Sequence, residues 1–501
     1  MTETLVRRIA ALPTSLRCLI AAGFGVLGAA SLAPFHIAPL SLVMLVAGYL
    51  LIQTAPSRAA AFGLGWTLGA AYFAVALHWI VEPFQVDAAL HGWMAPFALV
   101  GMAGGLALFW GFAFWGSILL GRAPWSLAAL WPLAELGRAY LFTGFPWAAP
   151  PQSLVDGLAG QALAFGGPHG LMLAMAFTAA LIASPLRGLV WRLGQAALAL
   201  AAVSAILLPA PARDLNYTDQ TLRLIQPNAP QHEKWDPDKI PVFIRRQLDF
   251  AAAPGAPDWI VMPETALPYL LEWSQPLFDD FAALAAAPIV LGIQRQENGQ
   301  YFNALVTLDA AGRVAQTYDK HHLVPFGEYM PFPALFSRLN VGGLAQRVEG
   351  AYTPGPGPAL IQMEGIGPVL PLVCYEAVFA HDVGGAPGRP ELILHLTNDA
   401  WFGDFAGPQQ HLSQARMRAI EQGLPVARAA NTGISAMIGP DGRILQALPL
   451  NQAGFLDARL PRPYAATFYA KTGDLPWAML LIGLTSVAIG RRIWLRNRAP
   501  D

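Results

Sequence analysis

Three residues of this 501-residue chain, Glu264, Lys320 and Cys374, could carry out acyl transfer if the fold brings them together. A thiol is a nucleophile, a carboxylate can take its proton, and an ammonium can stabilise the oxyanion that forms on the attacked carbonyl group. Each residue lies at or just past the end of a short run that is typical of a β-strand. Because strand ends can converge on one cleft, we predict a single site that contains all three side chains.

The block that holds these residues, 210–474, has the pattern of an α/β domain. Apolar, β-branched runs predict strands at 221–226, 259–262, 288–293, 303–308, 369–373 and 392–396. Helical periodicity appears at 240–252, 276–286 and 409–423. Long helices that alternate with buried strands favour a layered sandwich over an all-β fold.

The rest of the chain has the composition of a membrane protein. Hydrophobic residues make up 55% of the sequence and charged residues only 13%, whereas soluble domains carry about 25% charged residues. Eight stretches approach the roughly 20 residues that a helix needs to cross a bilayer. They lie at 16–34, 37–54, 59–80, 91–120, 124–142, 167–185, 189–209 and 475–491. We therefore predict a membrane domain of seven spans over 1–209, a soluble domain over 210–474, and an eighth span with a cytoplasmic tail over 475–501.

The distribution of arginine predicts how the chain is oriented. The loops on one side of the predicted spans, 35–36, 81–90 and 143–166, contain neither lysine nor arginine, whereas the segments on the other side contain arginine. Since positive residues accumulate on the cytoplasmic side, both termini are predicted to face the cytoplasm and the soluble domain to face outward. The first span is preferred to a cleaved signal peptide because no clear small-residue cleavage motif follows it.

Motifs around the three candidate residues resemble those of the nitrilase, or carbon–nitrogen hydrolase, superfamily. Residues 262–265 read Met-Pro-Glu-Thr, 318–328 read Tyr-Asp-Lys-His-His-Leu-Val-Pro-Phe-Gly-Glu, and 373–376 read Val-Cys-Tyr-Glu. The run 398–403, Asn-Asp-Ala-Trp-Phe-Gly, extends the match. The resemblance implies an αββα sandwich for the soluble domain. Combined with eight predicted spans, it is similar to the apolipoprotein N-acyltransferase family of the bacterial inner membrane, whose catalytic domain is periplasmic.

That resemblance implies the reaction and the role of each residue. An acyl chain would pass from a phospholipid, with phosphatidylethanolamine as the expected donor, to Cys374. It would then pass to the α-amino group of the S-diacylglyceryl-cysteine that begins a lipoprotein. Glu264 would act as the general base, and Lys320 would stabilise the oxyanion and favour the thiolate by lowering the pKa of the thiol. Supporting or substrate-binding roles are implied for Trp235, Glu328, Tyr375 and Glu376, with no metal or other cofactor.

Two other functional classes remain open from the sequence. A membrane-tethered amidase or nitrilase would use the same three residues and release the acyl group to water. A receptor or scaffold would retain them without activity. Taken singly, Cys374 could be a core residue, Glu376 purely structural and Trp235 an interfacial anchor. The net charge of −1 gives no sign of a nucleic-acid partner.

Several other features have more than one interpretation. Glu135 and Arg138, one helical turn apart in the fifth predicted span, either order the helix bundle or contact a lipid headgroup. The Gly-x-Gly-x-x-Gly pattern at 23–28 favours close helix packing over dinucleotide binding, because it lies within a span. The stretch 333–345, with Trp235, is predicted to form a lipid-facing entrance to the cleft. No zinc is expected, because the spacing of the candidate histidines does not match a metal site. These histidines are His321, His322, His395 and His411.

Overall fold

A computed structural model describes residues 2–121, 124–184, 186, 188–285, 287–331 and 351–497. The chain divides into two compact units. One unit is Met1–Ala212 together with Phe468–Asp501, and the other is Arg213–Thr467. The stretch 333–345, which the sequence predicts to form an entrance to the cleft, lies outside the described residues.

The two units differ in secondary structure: the first is helical and the second contains the strands. The helices are α1 Thr2–Ala10, α2 Thr14–Ala29, α3 Pro39–Ile52, α4 Arg58–Ala76, α5 Ala88–His91, α6 Ala95–Leu119, α7 Pro124–Tyr140, α8 Leu163–Ala183, α9 Leu189–Leu207, α10 Ile240–Ala251, α11 Gln275–Leu284, α12 Ala380–Gly384, α13 Gly407–Gln422, α14 Phe468–Thr472 and α15 Leu475–Asn497. The strands are β1 Tyr217–Gln226, β2 Trp259–Val261, β3 Ile289–Glu297, β4 Gln300–Leu308, β5 Val314–Asp319, β6 Ile361–Met363, β7 Gly367–Val373, β8 Leu392–Thr397, β9 Val426–Ala430, β10 Ser435–Ile438, β11 Ile444–Leu448 and β12 Gly454–Pro461.

Within the described residues, four helical stretches are long and apolar enough to cross a membrane. They are Arg58–Ala76, Ala88–Leu119, Leu158–Ala183 and Leu189–Leu207, and each coincides with a predicted span. Helices α2 and α3 also coincide with predicted spans, but their 16 and 14 residues fall short of the roughly 20 that a bilayer requires. Helices α7 and α15 coincide with the fifth and eighth predicted spans. The membrane character of this unit is therefore clear, while the count of eight spans stays a prediction.

Glu135 and Arg138 form a buried ion pair on α7. Arg138 Nη2 lies 2.6 Å from Glu135 Oε2, and both residues are almost completely buried. Trp110 Nε1 donates to Glu135 Oε1 at 2.7 Å, and Arg138 Nη1 donates to the carbonyl oxygens of Trp147, at 2.7 Å, and Phe145. Each charge thus has protein partners within its own unit. These contacts favour the interpretation that the pair orders the helices and the adjoining loop.

Two glycines of the 23–28 pattern permit close helix contacts. A Cβ atom at Gly25 would lie 2.3 Å from the carbonyl oxygen of Leu68, and one at Gly28 would lie 2.2 Å from Met44 Sδ. Both distances are too short for any side chain. The packing interpretation is confirmed at these two positions.

The second unit is a sandwich of two six-stranded mixed sheets. The strand orders are β12-β1-β2-β3-β4-β5 and β11-β10-β9-β8-β7-β6. Strands β1, β2 and β3 run parallel, as do β7, β8 and β9. The two sheets meet where β1 contacts β9 and β10, and there the Ser435 N–H donates to the Gln226 side-chain oxygen at 2.9 Å.

Helices cover the outer faces of both sheets. Apolar residues of α10 and α11, such as Leu248 and Phe281, pack on the first sheet in one core cluster. Residues of α13, such as Leu412 and Ala419, pack on the second sheet in another. Because the central strands are covered on both faces, β8 is buried along its entire length and its sequence is a continuous run rather than an alternating one. The result is the predicted αββα sandwich.

Candidate active site

The three candidate residues each follow a strand of the sandwich. Glu264 lies after β2, Lys320 directly after β5, and Cys374 directly after β7. Cys374 has a φ of 51°, in the left-handed region that non-glycine residues rarely adopt, and it begins the 3₁₀ helix Cys374–Val378. This abrupt change from strand to helix turns the cysteine out of the sheet at the strand end.

Glu264 and Lys320 are brought together in the interior of the unit. Lys320 Nζ lies 3.5 Å from Glu264 Oε1, and both residues are buried, as is Cys374. Both charged groups act on the Cys374 thiol electrostatically. The predicted convergence of the carboxylate, the ammonium and the thiol is therefore present in the structure. Because the three residues are buried, each charge has a stronger effect than it would in water.

Glu264 is held in one orientation by two hydrogen bonds. Asn303 Nδ2 donates to Oε1 at 2.7 Å, and the Asn398 backbone N–H donates to Oε2 at 2.8 Å. Gly292 on the neighbouring strand β3 leaves room for this segment, because a Cβ atom there would lie 2.5 Å from Glu264 Cα. The carboxylate is therefore fixed by both its donors and its packing.

Glu328 is the nearest acidic partner of Lys320. Lys320 Nζ donates to Glu328 Oε1 at 2.9 Å, and Asn303 Nδ2 donates to the same oxygen at 3.0 Å. Burial opposes the charge of Lys320, but the carboxylates of Glu328 and Glu264 outweigh it and raise the pKa of the ammonium above its ordinary value. Lys320 is therefore a permanent cation at neutral pH.

The thiol of Cys374 is protonated at rest. Burial, and then the negative charge of Glu264, raise its pKa well above the ordinary value, while Lys320 acts in the opposite direction. Lys320 thus acts on the thiol pKa in the direction that the sequence predicts. Lys320 does favour the thiolate, but desolvation has the larger effect. Among the carboxylates, Glu264 has the largest electrostatic effect on this thiol.

Glu376 joins the loop after β5 to the turn after β7. Its Oε2 accepts from the Val373 N–H at 2.7 Å, and its Oε1 accepts from the Tyr318 hydroxyl at 2.9 Å and from the His321 N–H at 2.8 Å. The residue is completely buried. Its contacts are therefore those of a structural link between the segments that carry Lys320 and Cys374.

The remaining predicted residues lie at the edge of this arrangement. Tyr375 is buried, and its ring packs edge-on against Phe379 with centroids 4.9 Å apart. Trp235 is 43% exposed. Its neighbour Lys234 is buried and donates to the Glu264 carbonyl oxygen at 3.5 Å. Burial lowers the pKa of Lys234 to about 8, against the opposing effect of Glu264.

Several site residues were not identified from the sequence. Asn398 begins the 398–403 motif, and Lys234 is next to the predicted site residue Trp235. Asn303 lies within β4, and nothing in the sequence around it indicates a role in the site. From the sequence, His395 and His411 stand out only as candidate metal ligands. Their Nε2 atoms instead lie 3.1 and 3.2 Å from the carbonyl oxygen of Cys374.

One histidine cluster has donor atoms close enough for a metal. The ligand atoms of His322, His381 and Asp382 lie within 4.8 Å of one another, although the two histidines are far apart in sequence. His322 Nδ1 lies 2.7 Å from Asp382 Oδ2, and His321 Nε2 lies 3.6 Å from the same oxygen. Contacts with Asp382 account for this geometry, so we assign no metal to it.

The chain that returns to the site after residue 350 is tied to the same loop. The Tyr352 N–H donates to the Glu328 carbonyl oxygen at 3.0 Å, and the Gly355 N–H donates to the Lys320 carbonyl oxygen at 2.9 Å. Residues on both sides of 332–350 are therefore anchored at the loop that carries Lys320.

The fold and the site define a carbon–nitrogen hydrolase domain in a chain that also has membrane-type helices. The family model for carbon-nitrogen hydrolase matches residues 210–469, and that for the apolipoprotein N-acyltransferase N-terminal domain matches 24–181. Among solved structures, an amidase from Nesterenkonia sp. is similar, with 20% identity and a TM-score of 0.35 over 50% of this chain and 93% of that one.

Full-length relatives identify the family more narrowly. An apolipoprotein N-acyltransferase from Rhodopseudomonas palustris is 34% identical, covering 97% of this chain and 96% of the relative. One from Bradyrhizobium diazoefficiens is 36% identical, covering 96% of each. This chain belongs to the apolipoprotein N-acyltransferase family.

Proposed function

We propose that this protein N-acylates lipoproteins, moving an acyl chain from a phospholipid to the α-amino group of an N-terminal S-diacylglyceryl-cysteine. The buried grouping of Glu264, Lys320 and Cys374 in a chain with apolar helices supports this reaction most directly. An ester donor and an amine acceptor require acyl transfer, and both substrates are anchored in a membrane. Phosphatidylethanolamine is the proposed donor.

The first half-reaction forms a thioester. Glu264 takes the proton from the Cys374 thiol as the sulfur attacks the ester carbonyl carbon. The oxyanion of the tetrahedral intermediate is stabilised by the Lys320 ammonium and the Tyr375 backbone N–H. The ester C–O bond then breaks, the lysophospholipid oxygen takes the proton from Glu264, and the acyl chain remains on sulfur.

The second half-reaction transfers the acyl chain from Cys374 to the acceptor and restores the free thiol. The acceptor amine attacks the thioester carbonyl carbon, and Glu264 takes a proton from the nitrogen. The C–S bond breaks, the proton returns to the Cys374 sulfur, and an amide is formed. Glu328 and Glu376 support this cycle by holding Lys320 and the turn after β7. Trp235, exposed beside Lys234, is proposed to contact substrate.

The proposed location follows from the arginine distribution. The unit Arg213–Thr467 would face the periplasm from the inner membrane, and both termini would face the cytoplasm. This arrangement gives the active site access to phospholipid and to lipoproteins that have already been exported.

Intact mass spectrometry of the purified full-length protein tests the proposal. Incubation with phosphatidylethanolamine alone is expected to add one acyl chain that hydroxylamine removes, and Cys374→Ala is expected to add none. Addition of a diacylglyceryl lipopeptide should clear the adduct and yield N-acylated peptide. Near wild-type transfer by Cys374→Ala would refute the thioester scheme. Release of free fatty acid without peptide acylation would instead indicate a hydrolase.

A further inference from the structure

A buried polar cluster lies beneath the nucleophile. It comprises His395, His411, Asp399 and Arg428, all with no exposed surface. His395 Nε2 lies 3.1 Å and His411 Nε2 lies 3.2 Å from the carbonyl oxygen of Cys374. Burying charged and polar groups is costly unless each is paired. The reaction scheme above uses none of these four side chains, so their presence calls for a separate explanation.

Arg428 determines which nitrogen of His395 carries the proton. A guanidinium group only donates hydrogen bonds, and Arg428 Nη1 lies 2.9 Å from His395 Nδ1. His395 Nδ1 must therefore accept, and burial together with the Arg428 charge lowers the pKa of the ring well below its ordinary value. The single proton of the neutral ring resides on Nε2, which donates it to the Cys374 carbonyl oxygen.

Arg428 is itself fixed. It pairs with the buried carboxylate of Asp399, which also accepts from the Thr397 hydroxyl at 2.9 Å and lies 2.9 Å from His411 Nδ1. Gly433 makes room for this carboxylate, because a Cβ atom there would lie 2.2 Å from Asp399 Oδ2. Arg428, which donates to His395, is thus held in place by Asp399, which lies two residues after β8.

The direction of the Cys374 carbonyl fixes the direction of the next N–H. In a planar trans peptide, the C=O and N–H bonds point in opposite directions. A carbonyl directed at His395 therefore turns the Tyr375 N–H away from the buried cluster. Cys374 also has a φ of 51°, a left-handed conformation that is unfavourable for a non-glycine residue and must be held by its surroundings.

We propose that His395, with its proton fixed on Nε2 by Arg428, is a positioning residue that holds the Cys374–Tyr375 peptide so that the Tyr375 N–H faces the oxyanion. This proposal rests on the proposed function, in which Cys374 forms a thioester. His395 touches no reacting atom. It acts through the peptide plane, so it should affect steps in which an oxyanion develops and spare those in which none does.

Two reactions of Cys374 separate these cases. Acylation by phosphatidylethanolamine passes through an oxyanion, whereas alkylation by iodoacetamide is a direct displacement at carbon and forms none. Both can be followed by intact mass on the full-length protein in a Cys18→Ala background, which leaves Cys374 as the only thiol. His395→Leu removes the donor at similar size, and His395→Gln restores an N–H near the position of Nε2.

His395→Leu is expected to slow acylation about 10–100-fold, somewhat less than the loss of an oxyanion-hole donor itself. Alkylation should continue at close to the wild-type rate, and His395→Gln should recover most of the acylation rate. In steady state the loss should appear in kcat rather than KM.

Equal losses in both reactions would make the histidine merely structural and overturn the proposal, as would failure of both variants to fold. Unchanged acylation in His395→Leu would also overturn it. A wild-type protein that forms no acyl adduct would refute the proposed function instead, so the two failures are distinguishable.

Discussion

Glu328 illustrates how closely the site depends on single side chains. Its Oε1 accepts hydrogen bonds from both Lys320 and Asn303, which in turn bonds Glu264. Glu328→Gln removes the negative charge that fixes the ammonium. We expect acyl-enzyme formation to slow about 10–100-fold, because small misplacements in an active site cost about this much. Single-turnover mass spectrometry measures the rate, with the exposed Glu364→Gln as a control that should match the wild type. An unimpaired Glu328→Gln would contradict the role.

Glu264 has two opposing effects on Cys374, and they can be separated. In the proposed reaction it takes the thiol proton during acylation, but its charge also raises the pKa of the resting thiol. In Glu264→Gln, therefore, the pH profile of iodoacetamide alkylation should shift to lower pH, while acylation by phospholipid should nearly cease. An alkylation profile shifted to higher pH would mean that Glu264 does not destabilise the thiolate.

At the scale of elements, Gly292 sets how closely β3 approaches the segment that carries Glu264. Gly292→Ala would place a Cβ atom 2.5 Å from Glu264 Cα and 2.8 Å from the Pro263 carbonyl oxygen. Because both neighbours are backbone, we expect a loss of about 1–3 kcal/mol in stability and a large loss of acylation. Gly384→Ala is the matched control, since its Cβ would meet no atom within 4 Å. Thermal unfolding and acylation rates report the two effects, and equal behaviour of both variants would contradict the packing argument.

The link between the β5 loop and the turn after β7 predicts a pH dependence of stability. Burial opposes the charge of His321, but the nearby carboxylates of Asp382 and Glu376 raise its pKa to about 9. An unfolded histidine has a pKa of about 6.5. The stabilisation is therefore complete below about pH 6.5 and is lost as the pH rises through about 9.

We expect a loss of about 1–2 kcal/mol over that interval, since partial exposure of the ring screens its ion pairs. The thermal midpoint of the full-length protein, measured between pH 6 and 9.5, checks this. His321→Asn should flatten the profile, whereas His232→Asn, an exposed histidine, should not. A flat wild-type profile would refute the link.

Sequence patterns predicted the elements whose signals are local. Continuous apolar runs gave β2, β3, β4, β7 and β8, and their ends indicated Glu264 and Cys374. Sequence patterns could not predict contacts between side chains that only the tertiary fold brings together. Asn303 lies inside β4 with nothing in its neighbourhood to mark it, and Arg428 lies on β9, where a buried arginine is unexpected until Asp399 is seen beside it. The dominant effect of burial on the pKa of Cys374 could not be predicted for the same reason, because desolvation is set by the whole fold.

At the scale of the whole molecule, the predicted orientation places the sandwich unit outside the cytoplasm. The Asn298–Gly299 turn between β3 and β4 is exposed and suits a probe. In a background without Cys18 and Cys374, Asn298→Cys should react with a membrane-impermeant maleimide added to spheroplasts. Pro56→Cys, between α3 and α4 on the predicted cytoplasmic side, should react only after lysis. The opposite pattern would overturn the orientation.

The anchoring of the chain on both sides of 332–350 has a consequence for how this enzyme can diverge. The Tyr352 N–H donates to the Glu328 carbonyl oxygen, so the chain leaves this loop and returns to it at one place. Changing the length of a loop whose ends are fixed costs little, about 0.6 kcal/mol for each doubling. We therefore expect that evolution or engineering can change the sequence and length of 332–350, and with them the choice of substrate, without moving Lys320 and Glu328.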